Sequence, residues 1–182
     1  GPRGTPHSHT FSDRMIQPGD MIYLDIMHSF NGYRTCYYRT FVCGKPNKYQ
    51  IEAYGKVSKW LNDAINIIKP GVTTADVCAV WPQAEEFGYR NEDEAYLLQY
   101  GHGIGLGLWE RPILSRRFCF DHPAVIKEGM VFAVETWCGA EDGSGAASLM
   151  VPSGGQRLPR SAETAREVTD AAGCTRSQDH LF

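Results

Sequence analysis

Apolar and polar positions alternate from about Met21 to His28, break at Asn31-Gly32 and resume from Tyr33 to Val42. A period of two on either side of Asn-Gly predicts a β-hairpin, because that pair accepts the backbone angles of a tight turn. The period then changes. Ile51, Tyr54, Val57, Trp60, Leu61, Ala64, Ile65 and Ile68 recur at helical spacing and predict one apolar face of a helix from Asn47 to Ile68, ending before Pro70-Gly71. Thr73 or Thr74 can cap a second helix over 75–87, which Pro82 must kink or split. Strands are expected again at 103–109, around Phe118-Cys119-Phe120, and at 130–137. Beyond Ala147 the alternation fades among Ser, Gly, Arg, Thr and Ala, leaving only a short helix expected over 161–172. Helices covering a sheet make this an α+β chain.

Two of these strands follow one template. Ile16-Gln17-Pro18-Gly19-Asp20-Met21-Ile22-Tyr23-Leu24-Asp25 and Ile126-Lys127-Glu128-Gly129-Met130-Val131-Phe132-Ala133-Val134-Glu135 each run from an Ile through a Gly turn and an apolar stretch to a carboxylate at the same offset. Between them, Tyr100-Gly101-His102-Gly103-Ile104-Gly105-Leu106-Gly107 holds one ionisable side chain among four glycines, which lets backbone close in around the imidazole. An acid ending an apolar strand is ordinarily just a strand meeting water, and a single histidine is ordinarily a satisfied core residue. Two acids at matched offsets with a glycine-set His between them point elsewhere. They suggest Asp25, His102 and Glu135 converging on one buried point, as a metal site requires.

Composition narrows the partners. The 182 residues fit one domain, or slightly more, with a substantial core. A net charge of -3, without Lys or Arg clustered among aromatics, speaks against nucleic acid. No apolar stretch approaches the roughly 20 residues that cross a bilayer, so no membrane partner is expected. The start at Gly1-Pro2-Arg3-Gly4 resembles neither a signal nor a transit peptide. The six cysteines, with no C-x-x-C pair or regular spacing, imply reduced thiols, and the expected compartment is the cytoplasm.

Four motifs in order carry a family resemblance: the strand from Gly19 to Asp25, the hairpin return from Gly32-Tyr33 to Tyr38-Arg39-Thr40-Phe41, the segment Gly101 to Leu106, and the strand from Glu128 to Glu135. Together they resemble the superfamily of methionine aminopeptidase, Xaa-Pro aminopeptidase, prolidase and creatinase, over about residues 1–150. The resemblance implies the pita-bread fold, two pseudo-symmetric αβ halves around a curved antiparallel sheet covered by helices. It also implies that the amino-terminal start of this domain is missing and that 151–182 is a divergent, partly irregular tail. The implied activity is hydrolysis of small peptides of the Xaa-Pro type, and pairing as a homodimer is left open.

Peptidases of that superfamily hold two divalent ions with two Asp, one His and two Glu. Asp25, His102 and Glu135 match the first Asp, the His and the first Glu. The second Asp is expected three residues before the Arg of Arg39-Thr40-Phe41, where Cys36 stands, and the last Glu near Met150, where no acid is found. A His expected before Glu-x-Pro is replaced by Trp109 in Trp109-Glu110-Arg111-Pro112. The implied site is degraded, holding at most one ion (Mn, Co, Zn or Fe) through Asp25, His102 and Glu135, with Cys36 a candidate softer ligand. Candidate catalytic groups are His102, Glu110 and, from the loop Pro6-His7-Ser8-His9, His9; candidate substrate contacts are Trp109, His7 and Tyr33. Two further readings stay open. One is a creatinase-like, metal-independent hydrolase or lyase acting on a C–N bond of a small amine, and the other is a non-catalytic pita-bread module that binds a partner.

Overall fold

A computed structural model describes residues 13–87, 89–95, 99–139 and 145–150, so His7, His9 and the helix expected over 161–172 lie outside the described residues. Strands β1 (Met21–Phe30) and β2 (Tyr33–Val42) pair antiparallel along their whole length. The turn between them uses Asn31 at φ 50° and Gly32 at φ 86°, the left-handed backbone that the Asn-Gly pair predicts.

Helix α1 (Lys48–Ile67) begins on a reciprocal cap: Asn47 Oδ1 accepts from the Gln50 N–H while Gln50 Oε1 accepts from the Asn47 N–H. Its buried stripe is Gln50, Ala53, Val57, Leu61 and Ala64. The expected face is therefore rotated at its amino end. Ile51 is exposed and Gln50 is buried, donating from Nε2 to Gly19 O at 2.8 Å, because the first turn of α1 lies against a carbonyl that needs a donor. Thr73 caps α2 (Thr74–Cys78) in the same reciprocal manner with Asp76. The helix expected over 75–87 is split around Pro82, with a single 3-10 turn at Ala84–Phe87 following it.

The next expectations need correction. Only Gly101–Gly103 is strand (β3), and residues 104–109 form a bent loop, because glycines at alternate positions leave no side chains to build a strand face. An unexpected strand, β4 (Glu110–Leu114), pairs with β3. Phe118-Cys119-Phe120 lies in a helix, α3 (Arg116–Asp121), where only Cys119 of the three is buried. An apolar triplet is too short for its period to be read. Strands β5 (Phe132–Gly139) and β6 (Gly145–Met150) complete a four-stranded antiparallel sheet in the order β4-β3-β5-β6.

Trp81 and Tyr100 stack at 4.6 Å in the main core, with Leu61, Val77, Leu114, Phe132 and Val134 around them. A smaller cluster of Cys36, Tyr38, Ile104 and Ala133 fastens the hairpin to the sheet. Both template turns are built alike. Gly19 and Gly129 take φ of 90° and 84°, and the turns close through Asp20 N to Gln17 O at 3.0 Å and Met130 N to Lys127 O at 3.3 Å. Each turn then launches the strand that carries its acid.

Candidate active site

His102 sits on β3, which has a strand on both sides. A Cβ at Gly101 would stand 2.5 Å from Ala133 O, and one at Gly103 would stand 2.7 Å from Arg111 O, so three backbones approach more closely than any side chain permits. The imidazole between those glycines is fully buried. Its Nδ1 lies 2.9 Å from Gly103 O, and since a carbonyl can only accept, the proton belongs on Nδ1 and Nε2 presents a lone pair. That Nε2 has no hydrogen-bond partner and stands 4.0 Å from Glu135 Oε1. Burial holds the imidazole pKa below its ordinary value, outweighing the Gly103 hydrogen bond and the Asp25 charge, so the ring is neutral at neutral pH.

Glu135, on β5, is also buried. Burial, helped by the nearby Asp25 charge, pushes its carboxyl up to about 7 against hydrogen bonds from Gln99 and Tyr38. Gln99 Nε2 donates to Glu135 Oε1 at 3.1 Å. Asp25 stands across the hairpin from Tyr38 and is exposed, unlike its template counterpart. The Cys36 thiol donates to Asp25 Oδ1 at 3.6 Å, and burial, then the charges of Asp25 and Glu135, push that thiol up to about 12. The same three causes push the Tyr38 hydroxyl well above its ordinary range, so it stays protonated and has one hydrogen to give to either Asp25 or Glu135.

The ligand candidates thus make two pairs, Asp25 with Cys36 and His102 with Glu135, joined through Tyr38. In kind the donors fit a divalent ion: two carboxylates that repel each other lie beside an unclaimed imidazole lone pair, and a cation would compensate all three. In arrangement they are open. Among the described residues no three His, Cys, Asp or Glu stand close enough to hold an ion together. The register of β6 also corrects one expectation: Leu149 stands opposite Glu135, and Met150 stands opposite Val134. A one-residue step along a strand changes the face, so the position sharing Glu135's face is 149.

The remaining candidates fall around this cluster. The Trp109 ring meets His102 edge-on at 5.8 Å while 63% of the residue stays exposed, which puts it at the mouth of the site. Glu110 Oε1 accepts from the Gly107 N–H at 2.5 Å, so its carboxylate holds the glycine loop. Tyr33 is exposed at the hairpin tip, which is tied to that loop by Arg34 N donating to Gly105 O at 2.6 Å. Tyr38 and Gln99 were not among the sequence candidates. Alternation on β2 could have found Tyr38, two residues beyond Cys36 and on its face, whereas Gln99 carried no signal.

Residues 1–158 match the model of metallopeptidase family M24. The Xaa-Pro dipeptidase of Pyrococcus furiosus is 34% identical over 131 residues, which cover 71% of this chain and 35% of the relative. Among solved structures, a prolidase from Thermococcus sibiricus superposes with a TM-score of 0.70 at 25% identity, covering 85% of this chain and 40% of that one. Dipeptidase PepE from Mycobacterium ulcerans gives a TM-score of 0.69 at 28% identity, again covering 85% and 40%. The chain therefore spans 35 to 40% of the length of these relatives and shares the α+β pita-bread fold.

Proposed function

Because the chain belongs to metallopeptidase family M24, we propose that it forms part of a prolidase-type hydrolase that cleaves Xaa-Pro bonds in small peptides, with at most one divalent ion at Asp25, His102 and Glu135. The observation that carries this reading is the buried His102 Nε2, which has no hydrogen-bond partner and faces Glu135 at 4.0 Å. A buried acceptor left unpaired costs about 1–3 kcal/mol, a cost that ligation would remove. When bound, a divalent ion supplies Lewis-acid polarisation of the scissile carbonyl and a lowered pKa for water.

The chain's own residues do the rest. Gly103 O fixes the His102 tautomer and aims Nε2. Tyr38 stands between the two carboxylates and gives its one hydroxyl hydrogen to either of them. Glu135, whose Oε1 faces His102 Nε2 at 4.0 Å, would hold the ion beside it. Trp109 offers a flat apolar surface beside His102, suited to a proline ring. Cys36 and Leu149, at the two positions without acids, reduce the ligand set and weaken metal binding.

The test is proline release from Ala-Pro by the full chain in Mn2+, Co2+ or Zn2+, with Ala-Ala as the comparison. Metal-dependent cleavage of Ala-Pro alone, stopped by chelator, is expected. Folded protein that releases no proline with any of these ions overturns the reading. A metal-independent, creatinase-like hydrolysis draws support from the two-pair arrangement of the ligands. Turnover of a small C–N substrate that survives chelator would identify it.

A further inference from the structure

Glu110 opens β4 where the register with β3 slips: His102 pairs with Ile113, but the next residue, Gly103, pairs with Glu110. An irregularity of this kind re-aims a side chain beside a site. The half-buried Glu110 carboxylate lies against the loop 104–109, where its Oε1 accepts from the Gly107 N–H at 2.5 Å. A Cβ at Gly105 would stand 3.2 Å from Glu110 Oε2, and one at Gly107 would stand 3.0 Å from Glu110 Cγ. Neither glycine has a left-handed backbone, so what their missing side chains supply is room for this carboxylate.

From Gly107 the hydrogen bonds continue. Gly107 O accepts from the Gly105 N–H at 3.1 Å, and Gly105 O accepts from the Arg34 N–H at 2.6 Å. Arg34 belongs to β2, in the hairpin that carries Asp25. Glu110 is thus one end of a relay that crosses the glycine loop from β4 to the hairpin. The same loop ends in Trp109, whose ring meets His102 edge-on at 5.8 Å. A carboxylate on a backbone N–H is ordinarily a local contact of no further consequence. This one fastens a loop with glycine at alternate positions, which has few side chains of its own to hold it and presents an aromatic ring to the site.

On the reading of the site as one for Xaa-Pro peptides, we propose that Glu110 is a positioning residue for substrate. By fastening the glycine loop it holds Trp109 at the mouth of the site, and through Trp109 it sets the affinity for the proline side of the dipeptide. The role needs an acceptor and not an acid, since the Gly107 N–H keeps its proton. An amide oxygen at position 110 meets that need and a methyl group does not. A group that moved a proton to or from substrate would require the carboxyl itself.

The test compares the full wild-type chain with Glu110→Ala and Glu110→Gln in two measurements. Amide hydrogen exchange, read by mass spectrometry on peptides spanning 103–110, needs neither metal nor substrate. Exchange there should be about tenfold faster in Glu110→Ala and should return to wild-type protection in Glu110→Gln, with peptides from α1 alike in all three. In steady-state kinetics, KM for Ala-Pro should rise several-fold in Glu110→Ala while kcat falls less, and Glu110→Gln should restore most of the loss. Turnover lost equally in Glu110→Gln and Glu110→Ala overturns the proposal, because the carboxyl itself is then required. So does loop exchange that Glu110→Ala leaves unchanged, or faster exchange throughout the chain. If wild type releases proline and Glu110→Ala matches its KM, this proposal alone falls. Wild type that releases none removes the Xaa-Pro reading, and the substrate named here falls with it.

Discussion

His102 Nε2 and Glu135 Oε1 lie 4.0 Å apart in a buried setting, too far for a hydrogen bond and close enough to share one cation. The imidazole proton is committed to Gly103 O on the other side of the ring, and the Glu135 oxygen is met by Gln99. The His102 ring is therefore oriented by a neighbour that leaves Nε2 available, while Gln99 donates to the same Glu135 oxygen that faces it.

The proposed ligand set lacks acids at two positions, and acids placed there should add ligands. Cys36→Asp combined with Leu149→Glu should raise the number of divalent ions retained after equilibrium dialysis and elemental analysis. Cys36→Asp combined with Met150→Glu should not, because Met150 pairs with Val134 on the opposite face. Equal gains from both combinations would show that this register does not govern the ligand set.

The glycines around His102 should be intolerant of a methyl group. Gly103→Ala meets Arg111 O at 2.7 Å from its new Cβ and should lose about 1–3 kcal/mol in denaturant titration. Gly55→Ala, inside α1 with nothing within 4 Å, should instead gain up to about 1 kcal/mol.

Trp109→Ala should separate binding from folding. With 63% of Trp109 exposed, its loss should barely move the melting temperature. Its edge-on contact with His102 should make KM for an Xaa-Pro dipeptide rise several-fold while kcat falls less. Steady-state kinetics with Ala-Pro measures both.

The first template turn should respond to acid. Arg14 donates to Asp20 from Nη1 at 2.5 Å and Nη2 at 2.9 Å, and Gln17 N donates to it at 2.8 Å. The Arg14 hydrogen bond leads in holding the Asp20 carboxyl down at about 2. Because the folded pKa is depressed, this stabilisation is present in full above the ordinary carboxylate range and is lost as pH falls through about 2. Asp20→Asn should flatten that acid limb in pH-dependent melting and leave the neutral region parallel to wild type.

Much of the frame was legible in the residues because its signals are local. Asn31-Gly32 dictates a hairpin, Asn47 and Thr73 cap helices, and the glycines of the two template turns take the left-handed backbone that no other residue takes as readily. What alternation could not supply was depth. Asp25 and Glu135 occupy matching template positions, yet one is exposed and the other buried, since a two-stranded hairpin covers its acid less than the four-stranded sheet does. Register across β5 and β6 is likewise a long-range property. That is why the last Glu is expected near Met150 from the residues alone, whereas the pairing puts Leu149 opposite Glu135. Tyr38 was hidden for another reason: a tyrosine in a strand ordinarily packs, and only the two carboxylates beside it turn its hydroxyl into a bridge.

The most direct test of the metal reading is isothermal titration of Zn2+ or Mn2+ into wild type and His102→Gln at matched folded fraction. Wild type should bind one ion weakly, and the folded His102→Gln protein should bind none. Equal binding by the two proteins, or none by wild type, would contradict the assignment of His102 Nε2 and Glu135 to a divalent ion.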